Sequence, residues 1–215
     1  MSDSKARAVV LISGSGSNLQ AIIDASQNPD YPVSIAAVIS NIDGVKGLER
    51  AQAAGIANEV LSHKTFDSRE AFDQQLSNLI DSYSPDLVIL AGFMRILSEN
   101  FVHHYQGRML NIHPSLLPKY RGLHTHRRAI EAGDKTHGAT VHFVTAELDG
   151  GPLVLQASVA INDDDTEDTL AARVLQKEHI IYPKAVKWFG AKRLILQDGK
   201  VLFDGKIQDQ PLQLS

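Results

Sequence analysis

The 215-residue chain has no cysteine and no apolar run of about 20 residues, and each absence excludes a class of protein. Without cysteine there is no disulfide, no thiolate nucleophile and no thiolate metal ligand. The apolar run at residues 8–12 is too short for a secretory signal. The net charge of -4 gives no electrostatic reason to expect nucleic-acid binding. We therefore expect a cytoplasmic protein with neither a membrane segment nor a nucleic-acid partner.

The first half of the chain alternates short β-branched segments with helical patterns, and its overall composition is that of a globular protein. Continuous apolar strands between helices indicate a parallel sheet covered on both faces. Right-handed crossovers then predict a Rossmann-like, doubly wound arrangement. The predicted strands are residues 7–12, 33–39, 59–61 and 86–90, and the predicted helices are 18–26, 46–54 and 68–83.

After residue 101 the pattern changes to one typical of an antiparallel or mixed extension. A hairpin is predicted around Asp198-Gly199. No linker interrupts the chain, so we predict one domain, residues 1–215, with subdivisions at 1–110, 111–190 and a tail at 191–215. The predicted elements here are strands at 109–112, 139–145, 153–161, 193–196 and 200–203 and a long helix at 167–189.

A glycine- and serine-rich loop, residues 13–18, follows the first strand and opens a helix. Glycine lets the backbone approach a ligand closely, and the N–H groups of a helix start attract an anion. Leu19 stands where the dinucleotide fingerprint requires its third glycine, which disfavours a dinucleotide. A tight turn with a Ser or Asn N-cap is the purely structural alternative. The position at a strand end favours a single phosphate monoester.

Asn111 and His113 alternate along a short strand, so their side chains project to one face. An amide beside an imidazole provides an oxyanion donor and a proton donor. Asp149 lies in the turn of residues 147–152 and is the carboxylate placed to orient and charge the imidazole. The alternatives are an Asn and a His satisfied by nearby backbone, and an Asx-turn aspartate.

Two histidine pairs and an acidic run suggest a metal site at first sight. His103-His104 and the pair His124 and His126 lack the helical i, i+4 spacing of zinc ligands. Residues 163–168 lack the alternation and the glycine of a calcium loop. Asp165 or Thr166 is better explained as the N-cap of the long helix. We therefore predict no metal.

Four segments in order resemble the folate-dependent formyltransferases: residues 11–21, 91–97, 111–118 and 147–152. The similarity runs from about Ala8 to Phe189, and it is greatest to the members that formylate glycinamide ribonucleotide in purine biosynthesis. The resemblance implies that 10-formyltetrahydrofolate is the co-substrate. It also implies direct transfer of the formyl group to the substrate amine, with no covalent enzyme intermediate and no metal.

The resemblance also implies residue roles, with phosphate binding in residues 1–110 and catalysis with folate binding in residues 111–190. The implied catalytic residues are Asn111, His113 and Asp149. The implied contacts to the phosphorylated substrate are Ser15, Gly16, Ser17, Asn18 and Glu178. The implied folate contacts are Arg69, Met94, Arg95, Ile96, Leu97, Asn111, Glu147, Leu148 and Asp149. One departure is Arg121, since the closest members have proline after the Lys-Tyr pair.

Three other functions stay open at this point. A folate deformylase would use water in place of the amine, but its relatives carry an additional N-terminal domain. A transfer-RNA formyltransferase would be longer and would need a basic surface. A non-catalytic module that binds a phosphorylated metabolite is the alternative from another class. The sequence is compatible with a monomer or a homodimer.

Overall fold

The computed structural model describes residues 5–214, so both ends of the predicted domain, residues 1–4 and 215, lie outside the described residues. The chain divides into two compact units, Met1–Leu110 and Asn111–Ser215. The organisation of the whole chain as one domain stays a prediction.

The first unit alternates strands with helices, as predicted. Its strands pair in parallel in the order β4-β1-β2-β3. The strands are β1 (Ala6–Ile12), β2 (Val33–Ser40), β3 (Ala57–Val60) and β4 (Leu87–Leu90). The helices are α1 (Ser17–Ser26), α2 (Lys46–Ala53), α3 (Arg69–Ser82) and α4 (Glu99–His104), with a 3₁₀ turn at His63–Thr65.

Helix α3 shows how local sequence fixes these elements. Ser68 is its N-cap, and the Ser68 side chain accepts a hydrogen bond from the N–H of Ala71 at 3.1 Å. Phe72, Leu76 and Ile80 recur every four residues and are all buried. Burial of each such side chain contributes roughly 1.5–3 kcal/mol.

The strand order places a ligand-binding position in the first unit. β1 lies between β4 and β2, so the connections leave it in opposite directions at a topological switch point. Open α/β sheets bind ligands at the carboxyl ends of the strands at such a point. The segments that follow β1 and β4 meet there, because the N–H of Ser13 donates to the carbonyl of Gly92 at 3.1 Å.

The second unit contains a mixed sheet and a smaller antiparallel one. In the larger sheet the order is β11-β7-β6-β5, with β6 antiparallel to β7 and β11 parallel to it. In the smaller sheet the order is β10-β9-β8. The strands are β5 (Met109–His113, which begins in the first unit), β6 (Thr136–Phe143), β7 (Leu153–Ala160), β8 (Leu194–Gln197), β9 (Lys200–Phe203), β10 (Lys206–Ile207) and β11 (Leu212–Gln213).

Two helices accompany these sheets, α5 (Thr125–Glu131) and α6 (Glu167–Gly190). The N-cap of α6 is Thr166, which forms a capping box with Thr169. The predicted hairpin is confirmed: Asp198 and Gly199 both have positive φ between β8 and β9. The predicted mostly parallel α/β fold with an antiparallel and mixed extension is therefore confirmed.

Within residues 5–214, no helix combines the length and the apolar character needed to cross a membrane.

Candidate active site

The predicted phosphate loop is built around a glycine that the structure requires. Gly16 is the N-cap of α1 and has the left-handed angles φ 67° and ψ 30°. A Cβ atom added at Gly16 would lie 2.6 Å from the Cα of Gly47. Both conformation and space therefore demand glycine. The alternative of a Ser or Asn N-cap is wrong. A glycine N-cap has no side chain to accept from the first N–H groups of α1, and this is the arrangement of anion sites at helix starts.

Arg50 holds this loop, although no pattern in the sequence pointed to it. Its Nε donates to the carbonyl of Ser15 at 2.9 Å, and its Nη1 donates to Oε1 of Gln20 at 3.0 Å. The guanidinium thus brings a positive charge to a loop of serine and glycine. Because Arg50 stands on α2, 35 positions from Ser15, no local pattern could have linked the two residues.

The predicted folate segment, residues 94–97, begins beside the same loop. The N–H of Met94 donates to Oγ of Ser13 at 2.8 Å, and that hydroxyl donates to Oδ1 of Asn41 at 2.6 Å. Met94 is 71% exposed and Ile96 is 63% exposed. Met94 and Ile96 thus present exposed apolar side chains on a segment that is anchored to this loop.

Two arginines of the predicted folate set lie in the first unit. The guanidinium of Arg95 lies 5.5 Å from the ring centroid of Phe72. Its Nε is buried without a hydrogen-bond partner among the described residues. Arg69 is half exposed and pairs with the adjacent Glu70 at 3.1 Å.

The second unit brings His113 and Asp149 together, as the sequence predicted. Nδ1 of His113 is 3.4 Å from Oδ2 of Asp149, with the two side chains 8% and 9% exposed. Nε2 of His113 is 2.9 Å from the carbonyl oxygen of Tyr120. Both ring nitrogens thus face oxygen atoms of groups that only accept hydrogen bonds. Asp149 also accepts the N–H of Gly122 at 2.9 Å.

Asn111 joins the same cluster through a histidine that the sequence analysis missed. Nδ2 of Asn111 is 3.1 Å from Nε2 of His142, and that nitrogen is 3.8 Å from Oδ1 of Asp149. Burial is the main cause that lowers the pKa of His142. A histidine inside the otherwise apolar strand end of β6 was the available signal, since a buried polar side chain requires a partner.

The turn that carries Asp149 explains the two glycines after it. Asp149 itself has φ 48°. A Cβ at Gly150 would lie 2.4 Å from the carboxyl carbon of Glu147, and one at Gly151 would lie 1.8 Å from the carbonyl oxygen of Phe143. The Gly-Gly sequence is therefore a steric requirement of the turn that presents the carboxylate.

The departure at Arg121 has a structural explanation. Its side chain forms an ion pair with Glu147 on the turn that carries Asp149. Its carbonyl accepts a hydrogen bond from Nη1 of Arg128 at 2.7 Å. These two contacts hold Arg121, and they therefore restrain the segment from Tyr120 to Gly122.

The remaining predicted residues of the second unit are placed individually. Leu148 is exposed on the turn, whereas Glu178 is buried on α6. His126 and His137 contact each other at 3.2 Å between Nδ1 and Nε2. Burial lowers the pKa of His137 to about 4. Among residues 5–214, no three histidines, aspartates or glutamates are grouped to hold a metal ion.

The fold and the buried histidine–aspartate pair define the class, an α/β enzyme suited to proton transfer. A family profile described as formyl transferase matches residues 6–186. The chain therefore belongs to the formyl transferase family.

Similar proteins extend over nearly the whole chain. The phosphoribosylglycinamide formyltransferase of Escherichia coli (strain K12) is 58% identical over 198 residues, which are 92% of this chain and 93% of that protein. The human trifunctional purine biosynthetic protein adenosine-3 is 46% identical over 92% of this chain and 20% of its own length. The solved structure of the phosphoribosylglycinamide formyltransferase of Coxiella burnetii has a TM-score of 0.93 at 50% identity, covering 97% of this chain and 100% of that one.

Proposed function

We propose that this chain transfers the formyl group of 10-formyltetrahydrofolate to the amine of glycinamide ribonucleotide in purine biosynthesis. The observation that carries this proposal is the placement of Asp149 between His113 and the Asn111–His142 pair. Membership of the formyl transferase family, with relatives named for this reaction, supports the choice of substrates.

In the proposed reaction the neutral amine attacks the formyl carbon, and negative charge develops on the formyl oxygen. Asn111 and the protonated His113 stabilise that charge with hydrogen bonds. Asp149 keeps the imidazole charged and oriented, because an opposite charge nearby favours the charged form. The proton of the attacking amine then passes to the departing folate nitrogen, with His113 and Asp149 as the relay. No covalent enzyme intermediate forms.

For His113 to donate to the formyl oxygen, one of its two present acceptors must give way. The contact with Asp149 joins opposite charges, whereas the Tyr120 carbonyl is neutral. The attraction between opposite charges favours keeping Asp149 at Nδ1, and the developing oxyanion would bring a second such attraction in place of the neutral carbonyl. We infer that the formyl oxygen replaces the Tyr120 carbonyl at Nε2, while Asp149 stays at Nδ1.

The two substrates are assigned as follows. Ser15, Gly16, Ser17 and Asn18 bind the phosphate, with Arg50 supplying positive charge to the loop. Glu178 binds near the glycinamide end of that substrate. The folate is bound by Arg69, by residues 94–97, by Asn111 and by residues 147–149.

The direct test is to mix the protein with a 10-formylfolate donor and glycinamide ribonucleotide and to follow the folate absorbance. We expect deformylation of the donor that depends on glycinamide ribonucleotide and yields the formylated ribonucleotide in equal amount. Donor consumption at the same rate without the amine would instead identify a deformylase. A gel shift with initiator transfer RNA would identify the transfer-RNA enzyme, and binding without turnover would identify a metabolite-binding module.

Three further assignments belong to this proposal. The protein acts in the cytoplasm, as a monomer or a homodimer, and without a nucleic-acid partner or a metal. Cell fractionation and sedimentation velocity test the location and the oligomeric state. Unchanged turnover after treatment with a chelator tests the independence from metal.

A further inference from the structure

The proposed mechanism gives no role to His142, although its surroundings determine which ring nitrogen carries hydrogen. Nδ1 is 2.9 Å from the carbonyl oxygen of Phe143. A carbonyl oxygen only accepts hydrogen bonds, so Nδ1 must be the donor. The buried ring favours the neutral form. A neutral imidazole that is protonated at Nδ1 has a lone pair at Nε2, so Nε2 is an acceptor.

This acceptor decides which way the Asn111 amide faces. The two ends of an amide are nearly indistinguishable by shape, so their orientation follows from the hydrogen-bond partners. The Nε2 lone pair accepts from the amide nitrogen, 3.1 Å away, and would repel the amide oxygen. One N–H of Asn111 is thereby fixed on His142. The second N–H of the same group is held in a defined direction.

We propose that His142 is a positioning residue that holds the Asn111 amide so that its second N–H faces the formyl oxygen. This inference rests on the proposed function, because it assumes that Asn111 stabilises the charge on that oxygen. His142 itself does not contact the substrate, and it acts through Asn111.

The pairing of β6 with β7 is irregular at His142. The register of β6 against β7 shifts between Val141, opposite Leu155, and His142, opposite Leu153. One residue of β7 is therefore passed over at this point, and such bulges re-aim side chains beside active sites.

The carbonyl that anchors Nδ1 occupies space left by a glycine. A Cβ at Gly151 would lie 1.8 Å from the Phe143 oxygen, so any other residue there would displace this carbonyl. Gly151 thus leaves room for the carbonyl that holds Nδ1 of His142, and this contact does not involve Asn111.

The charged groups around His142 agree with a neutral ring. Asp149 favours the protonated form, but its Oδ1 is 3.8 Å from Nε2, beyond hydrogen-bond length. Burial lowers the pKa of His142, and the nearby His113 and Arg121 lower it further. Because a neutral His142 carries no charge, it forms no ion pair with Asp149. The negative charge of Asp149 then acts on His113 alone in this pair of histidines.

Two substitutions of similar polarity separate the nitrogens of the ring. In His142→Gln the side-chain oxygen takes the place of Nε2, so the acceptor for Asn111 is kept. In His142→Asn the side-chain nitrogen takes the place of Nδ1, so the contact with Phe143 is kept and the acceptor is lost. We expect kcat of His142→Gln to stay within about threefold of wild type. We expect His142→Asn to lose about 10²-fold in kcat, with both KM values nearly unchanged.

A double-mutant cycle tests whether His142 acts through Asn111. In an Asn111→Ala background, His142→Asn should cause almost no further loss, because the amide that it positions is already absent. A full additional loss would overturn the proposal, as would equal defects in His142→Gln and His142→Asn.

The tautomer of His142 gives a readout that needs neither activity nor a variant that folds. Nitrogen-15 NMR of the wild-type protein should show a neutral ring protonated at Nδ1. Protonation at Nε2 would overturn the proposal. Lack of formyl transfer by the wild-type protein would contradict the proposed function instead, so the two failures are distinguishable.

Discussion

The candidate sites of the two units differ in whether backbone conformation or side chains form them. In residues 1–110 the phosphate loop depends on backbone shape, with Gly16 in a left-handed conformation against Gly47. In residues 111–214 the candidate site depends on buried ionisable side chains, above all His113 and Asp149. The three buried histidines of the described chain, His113, His137 and His142, all lie in this second unit. Substitutions in the loop of residues 13–18 should therefore change KM, and substitutions of His113 and Asp149 should change kcat.

The largest effect is expected at His113. His113→Ala removes the group that we propose donates to the formyl oxygen and relays the proton, so kcat should fall by about 10²–10⁴-fold with little change in KM. Steady-state kinetics on a variant with a wild-type circular dichroism spectrum measures this loss. His103→Ala, at an exposed position on α4, is the matched control and should keep full activity. Near-native turnover of His113→Ala would exclude the assignment.

A smaller effect, on KM, is expected at the phosphate loop. Gly16→Val places a Cβ 2.6 Å from the Cα of Gly47 at a residue with φ 67°. Such strain costs about 1–3 kcal/mol, so KM for the phosphorylated substrate should rise by about five- to 150-fold and more than KM for the folate.

Gly14→Ala is the control for Gly16→Val, because a Cβ at Gly14 meets nothing within 4 Å. It should leave both KM values close to wild type. Equal increases of both KM values in Gly16→Val would contradict the assignment of this loop to the phosphate.

The long, periodic elements could be predicted from sequence because their apolar spacing is local. Helix α3 and helix α6 were predicted to within two residues at each end. Helices α4 and α5, of six and seven residues, were not predicted, because so few residues show no clear period. Strands β10 and β11, of two residues each, were missed for the same reason.

The candidate site likewise has residues that could be predicted from sequence and residues that could not. Asn111 and His113 share a face because a strand has a period of two, which the sequence displays. The part played by His142 follows from a hydrogen bond across 31 positions, and that of Arg50 from one across 35. Contacts of that separation depend on strand order and register, which no local pattern specifies.

The pH dependence of stability should come from the second unit. Burial lowers the pKa of His137 from 6.5 to about 4, and the neighbouring His126 adds to this effect. Between these two values the unfolded chain binds more protons at this site, so stability is lost as pH falls through the window. At pH 5 this difference in proton binding amounts to about 2 kcal/mol. His137→Gln should therefore lose less stability on acidification, with a fall in Tm that is smaller by about 4–8 °C.

Differential scanning calorimetry at a pH above 7 and at about pH 5 measures this difference in Tm. Gln keeps a polar side chain at the position but does not titrate. An acid shift in Tm that is identical in the two proteins would show that His137 does not contribute.

The smallest effect is expected at Arg121. Its ion pair with Glu147 is largely exposed, and such pairs contribute about 0.2–1 kcal/mol. Arg121→Ala should lower Tm by no more than about 4 °C, and added salt should reduce the difference. A large loss of kcat in this variant would show that the segment from Tyr120 to Gly122 depends on this ion pair for its placement over the His113–Asp149 pair.

The measurement that tests the central claim most directly is kcat of Asp149→Asn. This substitution keeps the shape of the side chain and one acceptor oxygen, but it removes the negative charge that faces His113 at 3.4 Å. We predict a loss of at least about 10²-fold in formyl transfer, with the fold intact and with KM for glycinamide ribonucleotide nearly unchanged. Formyl transfer at the wild-type rate by a folded Asp149→Asn protein would contradict the account.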